Sequence, residues 1–235
     1  MILDTNVFTV LWKVTPLFAQ WISSPSNPLT SQSLLSASSS VLELGCGISG
    51  VIALCLAPQI ARYTLTDQSY VLKLIRQNLE DNAETVKRVS GSRKGGSKSK
   101  KGDGGGKGKE QEDLDSKIRA LALDWETDEV SNVASPGESF DVVIACDCIY
   151  NSHLITPLVS TCVDACRLRN REDGEPTVCI VGQQLRSDEV FEGWLREFNK
   201  SFRAYRVPDE MLIDGLKEDS GFVVHIGVLR DELQE

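Results

Sequence analysis

The chain has 235 residues, 41% of them hydrophobic, enough to bury one sizeable core, so a single domain is expected. Its apolar runs, such as residues 142–144 and 178–181, are far short of a bilayer span. The N-terminus has no basic segment followed by an apolar stretch and a small-residue cleavage site, so neither a membrane protein nor a secretory signal is expected. The net charge of −9 is unevenly spread: residues 87–109 hold nine Lys and Arg against Asp103, a local +8, leaving −17 on the rest. An acidic body repels phosphates and suits a basic partner, so no specific nucleic acid is expected.

The predicted elements alternate along the chain. Residues 41–44 form a short apolar strand that runs into a glycine-rich turn, and residues 51–57 have helical character. A strand over 63–66 ends at Asp67, and Val71, Leu74, Ile75 and Leu79 place a helix over 70–83. Gly, Ser and Lys then dominate an insertion at about 88–116, a composition that cannot offset its ordering entropy and predicts disorder within one loop. Strands follow at 118–123, ending in Asp124-Trp125, and at 140–146, with Asp147 at the tip. A helix over 154–167, a strand over 177–181 and a helix over 188–198 precede two closing strands, 202–207 and 222–229.

Near-continuous apolar strands alternating with helices mean a sheet covered on both faces. The expected fold is therefore α/β: a doubly wound, Rossmann-like, seven-stranded sheet, mostly parallel, with an antiparallel C-terminal edge hairpin. Ligands in such sheets lie beyond the carboxyl ends of the strands, where strand order reverses. The seven cysteines form no CxxC pair, and neither His153 nor His225 stands at metal spacing from a cysteine, so no metal site is expected. An odd number of cysteines in mostly apolar contexts fits a reducing compartment, cytoplasm with nucleus as a second possibility. No heptad or apolar stripe marks an oligomer, and a monomer is the default.

The motif Glu43-Leu44-Gly45-Cys46-Gly47-Ile48-Ser49-Gly50, with Asp67 further on, matches the glycine pattern of nucleotide-binding turns. Such a match alone does not separate a nicotinamide cofactor from S-adenosylmethionine. Glu43 favours the latter, because a carboxylate two residues before the first glycine repels a pyrophosphate and attracts an ammonium and a sulfonium. The glycines let backbone approach the ligand closely. Asp67 stands where a ribose diol is held, Asp124 where an adenine amino group is accepted, and Trp125 where the ring is stacked. Asp147 and Tyr150 put a carboxylate and a phenol at the mouth.

Leu11-Trp12-Lys13, the Leu42-to-Gly47 run, Leu65-Thr66-Asp67, Asp124-Trp125 and Ala145-Cys146-Asp147-Cys148-Ile149-Tyr150 together resemble the seven-β-strand lysine methyltransferases, methyltransferase family 16, over residues 9–230 apart from the insertion. Within that family the sequence is most similar to the fungal ribosomal-protein lysine methyltransferases. The resemblance implies a protein substrate from the large ribosomal subunit. Trp12 would pack on the cofactor from the N-terminal side and residues 45–47 would line its methionine portion. Cys146 would touch it through backbone, and Asp147 and Tyr150 would face the acceptor lysine. Relatives carry a hairpin upstream of Trp12, so either an incomplete sequence or a shortened member is expected, and Ser49 replaces a common glycine.

Chemistry adds a constraint. A lysine amine must be neutral to accept a methyl, and stripping its proton at pH 7 costs roughly 4.6 kcal/mol from a free pKa of about 10.4. Asp147 is expected to capture and orient the lysine, Tyr150 to shape the channel, and water to take the proton. Two other readings remain open: a methyltransferase acting on nucleic acid or a small molecule, and a non-catalytic cofactor-binding module. Against the first, Cys148-Ile149-Tyr150 stands where many nucleic-acid amino-methyltransferases have Pro-Pro-aromatic.

Overall fold

A computed structural model describes residues 11–91, 117–169 and 175–230. A helix covers residues 88–91, the start of the expected disordered insertion, and the remainder, 92–116, lies outside the described residues. Seven strands form one sheet in the order β3-β2-β1-β4-β5-β7-β6. They are β1 (Ser40–Leu44), β2 (Arg62–Asp67), β3 (Ile118–Ala122), β4 (Val142–Cys146), β5 (Val178–Gln184), β6 (Phe202–Arg206) and β7 (Phe222–Leu229). The first five are mutually parallel, with Glu43 paired to Leu65 and Ile144 across the centre. Strand β7 runs antiparallel to both β5 and β6, which makes the expected C-terminal edge hairpin.

Alternation along each strand assigns side chains to two cores. Val41, Tyr63, Leu65, Val142, Ile144 and Ile180 face one cluster; Leu42, Leu44, Val143, Ala145, Cys179 and Val181 face the other. The first cluster is covered by α1 (Val14–Ile22), the single-turn α2 (Pro28–Ser31), α3 (Val51–Leu56) and α4 (Leu72–Gly91). The second is covered by α5 (Ile155–Arg167) and α6 (Asp188–Ser201). Helix α6 opens on Ser187, whose hydroxyl accepts from the Val190 amide, with Asp188 and Glu189 favourably placed in the first turn. All seven cysteines are free and six are buried. No helix among the described residues is long and apolar enough to cross a membrane.

Two helices, α1 and α2, add to the elements expected from sequence. Pro16 falls in the first turn of α1, where no backbone donor is needed, so it does not break the helix. Val14, Phe18, Trp21 and Ile22 form its buried stripe. Phe18 fills the space over Gly182 of β5, where an added Cβ would lie 2.6 Å from the ring. The Trp21 Nε1 donates to the Met211 carbonyl at 2.7 Å, tying α1 to the β6–β7 connection. This packing holds the segment before α1, with Trp12, against the sheet's carboxyl edge.

Candidate functional site at the sheet's reversal point

Strand order reverses between β1 and β4, and the crevice expected of such sheets opens beyond their carboxyl ends. The loop that leaves β1 has Gly45 at φ +63°, Gly47 at φ +60° and Gly50 at φ +57°, a left-handed region that disfavours side chains. A Cβ on Gly45 would strike Cys148 Sγ at 2.8 Å and Trp125 Cζ2 at 2.9 Å. One on Gly47 would meet nothing within 4 Å, so its backbone borders open space. The loop is held from outside: the Cys46 amide donates to the Thr66 carbonyl at 3.1 Å, and Asn78 of α4 donates to the Ile48 carbonyl at 2.7 Å.

Glu43 lies beneath this loop, buried, on the α1/α3 face of the sheet. The Tyr63 hydroxyl donates to its Oε2 at 2.6 Å. Burial pushes the Glu43 carboxyl up to about 8; the Tyr63 bond opposes this and the nearby Asp67 charge adds to it. The same burial, together with Glu43, raises the Cys46 thiol. Asp67, the last residue of β2, accepts from the Gly47 amide at 2.8 Å and the Gln68 amide at 2.7 Å. Burial raises its pKa and those two amides partly reverse the effect. A carboxylate has about four acceptor positions, so two amide bonds leave capacity for a diol.

Beyond β3, the Asp124 Oδ1 accepts from the Glu126 amide at 3.0 Å and Asp128 accepts from the Asp124 amide at 2.8 Å, a self-contained turn. That turn presents Trp125, whose ring packs against the second core and over Gly45. Its Nε1 is buried with no hydrogen-bond partner among the described residues. An orphaned indole donor beside an open glycine loop marks a place where a polar ligand atom is accommodated.

Beyond β4, Cys146 is buried, with its thiol near the Thr15 hydroxyl and raised by burial, Glu43 and Asp147. Asp147 adopts φ +60°, unusual for a residue with a side chain. Its carboxylate receives Arg186 in a two-pronged pair, Nη1 to Oδ1 at 2.7 Å and Nη2 to Oδ2 at 2.6 Å, and the Gln184 amide at 3.2 Å. The Arg186 guanidinium also lies 4.9 Å from the centre of the Trp12 ring. Tyr150 is exposed at the mouth, its phenol raised by burial and by Cys148 and Asp67.

The structure thus gathers Trp12, Glu43, Gly45, Cys46, Gly47, Asp67, Asp124, Trp125, Cys146, Asp147 and Tyr150 at one end of the sheet. At one of these positions the structure adds a partner: Asp147 has no exposed side-chain surface and is paired with Arg186. Sequence reasoning missed Arg186, Tyr63, Asn78 and Cys148. It also missed Tyr70, an exposed phenol raised first by burial and then by Asp67, Tyr150 and Asp124, which puts it beside the same crevice. Arg186 was the most legible of these, since it stands two residues past the observed end of β5.

A seven-stranded sheet of this order, with a glycine loop leaving its first strand and acids at successive strand tips, defines a Rossmann-like methyltransferase fold. The chain belongs to the lysine methyltransferase family, whose profile matches residues 3–92 and 108–193. The interruption falls inside the basic insertion. It is 31% identical to ribosomal lysine N-methyltransferase 5 of Zygosaccharomyces rouxii over 85% of this chain and 65% of that one. It is also 31% identical to the diaminohydroxyphosphoribosylamino-pyrimidine deaminase of Schizosaccharomyces pombe, over 83% of this chain and 38% of that protein. The chain therefore spans under two thirds of either relative. Among solved structures, a methyltransferase from Pyrococcus furiosus superposes with a TM-score of 0.52 at 12% identity, covering 97% of this chain and 92% of the other.

Proposed function

We propose that this protein transfers a methyl group from S-adenosylmethionine to a lysine side chain of another protein, and that a ribosomal protein of the large subunit is its substrate. The observation that carries the reading is the loop beyond β1: backbone at Gly47 borders open space, with Glu43 below and Asp67 beside it. Membership of the lysine methyltransferase family supports it, and the name of the Zygosaccharomyces rouxii relative supports the ribosomal substrate.

When bound, the cofactor supplies an electrophilic methyl group on a sulfonium. This chain's residues divide the remaining tasks. The loop of Gly45, Cys46 and Gly47 receives the methionine portion, and Glu43 beneath it offers a negative charge once deprotonated. Asp67 holds the ribose hydroxyls with the acceptor positions its two amide bonds leave free. Trp125 and Asp124 border the adenine, with the unpaired indole donor available to it. Trp12 closes the N-terminal side and Cys146 contributes backbone. Asp147 and Tyr150 border the acceptor, which must approach to within about 3–3.5 Å of the methyl group in line. The acidic body suits a lysine-rich protein partner and disfavours nucleic acid. A monomer in a reducing compartment, cytoplasm or nucleus, completes the reading.

Calorimetric titration with S-adenosylhomocysteine, followed by a tritiated-methyl assay on a cell lysate, tests it. Label that migrates with protein and resists nuclease supports the proposal. Label removed by nuclease, or tight binding without any label, overturns it.

A further inference from the structure

Arg186 joins three segments that are distant in sequence: the segment before α1, the tip of β4 and the loop between β5 and α6. Its guanidinium forms a fork against both Asp147 oxygens and stacks on Trp12. Backbone geometry aims Asp147 at it. The φ of +60° turns the residue out of the strand, and the Asp147 amide donates to the Gly182 carbonyl at 2.7 Å while its carboxylate accepts from the Gln184 amide. Asp147 has no exposed side-chain surface, whereas Arg186 keeps one third of its own. The pair is therefore built from the inside, with the cation on the exposed side.

We propose that Arg186 is a positioning residue of the acceptor site: by neutralising Asp147 and pinning Trp12, it keeps the entering lysine from being held as an ammonium. The proposal rests on the lysine methyltransferase reading and deepens it. A free carboxylate beside the acceptor favours the charged amine, which cannot accept a methyl. A carboxylate already satisfied by a guanidinium loses most of that pull, and the guanidinium itself repels the ammonium.

The other groups around the pair do not substitute for Arg186. The Tyr150 phenol and the Cys148 thiol, from the β4–α5 loop, and the Cys146 thiol of β4 are all raised by burial and stay neutral. Asp67 from β2 and Asp124 beyond β3 are acids, and the Glu43 carboxyl from β1 is raised to about 8. The Tyr70 phenol is raised by burial, and Lys13 beside Trp12 is exposed. Removing the guanidinium leaves the Asp147 carboxylate without its counter-ion.

The test is kcat/KM for a protein substrate between about pH 6 and 10, in the wild type, Arg186→Lys, Arg186→Met and the double variant Asp147→Asn/Arg186→Met. S-adenosylhomocysteine affinity by calorimetry serves as the check on an intact cofactor site. Arg186→Met is expected to move the rising limb upward by about one pH unit and to lower neutral-pH turnover about tenfold. Arg186→Lys retains the wild-type limb, and the double variant moves back toward it, because no unpaired charge remains. A purely structural role for Arg186 predicts no such recovery. If Arg186→Met does not fold, the Arg186→Lys and double variants carry the comparison. An unshifted limb in Arg186→Met, or no recovery in the double variant, overturns the proposal. A tightened KM with a lowered kcat in Arg186→Met supports it, because lysine is then held on Asp147 as the ammonium that the guanidinium excludes. A wild-type protein that methylates no lysine overturns the underlying reading instead, and this inference with it.

Discussion

Substituting Gly47 by Ala separates the cost of folding from the cost of binding. At φ +60° an alanine is strained by about 1–2 kcal/mol. Nothing lies within 4 Å of the new Cβ, so no steric cost adds to that strain. The Gly47 amide that donates to Asp67 is retained. For a domain of this size the loss corresponds to a Tm drop of roughly 2–8 °C, and the variant should remain folded. The methyl group nevertheless projects into the open space assigned to the methionine portion of the cofactor. Calorimetry with S-adenosylhomocysteine should therefore show affinity reduced at least about a hundredfold, nearly 3 kcal/mol. Gly45→Ala is the contrasting case. Its Cβ collides with Cys148 and Trp125, so it should lose more stability than Gly47→Ala before any ligand is considered. Wild-type affinity in a folded Gly47→Ala protein would refute the placement of the cofactor over this loop.

Glu43 predicts two pH effects. Its folded pKa is raised from 4.5 to about 8, so the stability it contributes is fully present below about 4.5 and is lost as pH rises through about 8. Ligand-free Glu43→Gln should therefore gain in Tm relative to the wild type between pH 5 and 9, and a constant difference would contradict the buried, protonated carboxyl. A cationic cofactor favours the charged form, so S-adenosylmethionine should bind with proton release and more tightly as pH rises toward 8. Calorimetry in two buffers of different ionisation enthalpy measures the protons, and zero release in the wild type would exclude that coupling. Phe18→Ala should cost about 3–5 kcal/mol by opening a cavity over Gly182. A Tm loss below about 3 °C would show that α1 is not anchored there.

The sheet was legible because its strands are apolar on both faces and end in glycine or acid, as at Leu44-Gly45, Thr66-Asp67 and Cys146-Asp147. Helix α1 was not. Nine residues with a proline in the first turn and little polar contrast carry a weak periodic signal, and its stripe acquires meaning only against Gly182 and the β6–β7 connection. At β5 the apolar run stops at Val181, yet pairing to β7 carries the strand through Gln184 and buries Gln183. That three-residue extension is what brings Arg186 to the carboxyl edge beside Asp147. The gathering of strand-tip residues could be read from alternation and motif spacing. The partners that set their chemistry could not: Tyr63 on Glu43 and Arg186 on Asp147 are separated from them by 20 and 39 positions.

The most direct measurement incubates the purified protein with tritiated S-adenosylmethionine and isolated large-subunit ribosomal proteins, one at a time, and maps the label by mass spectrometry. The account predicts methylation of a lysine in one of them, abolished by Gly47→Ala. Saturable cofactor binding with no labelled lysine in any of these proteins would contradict it.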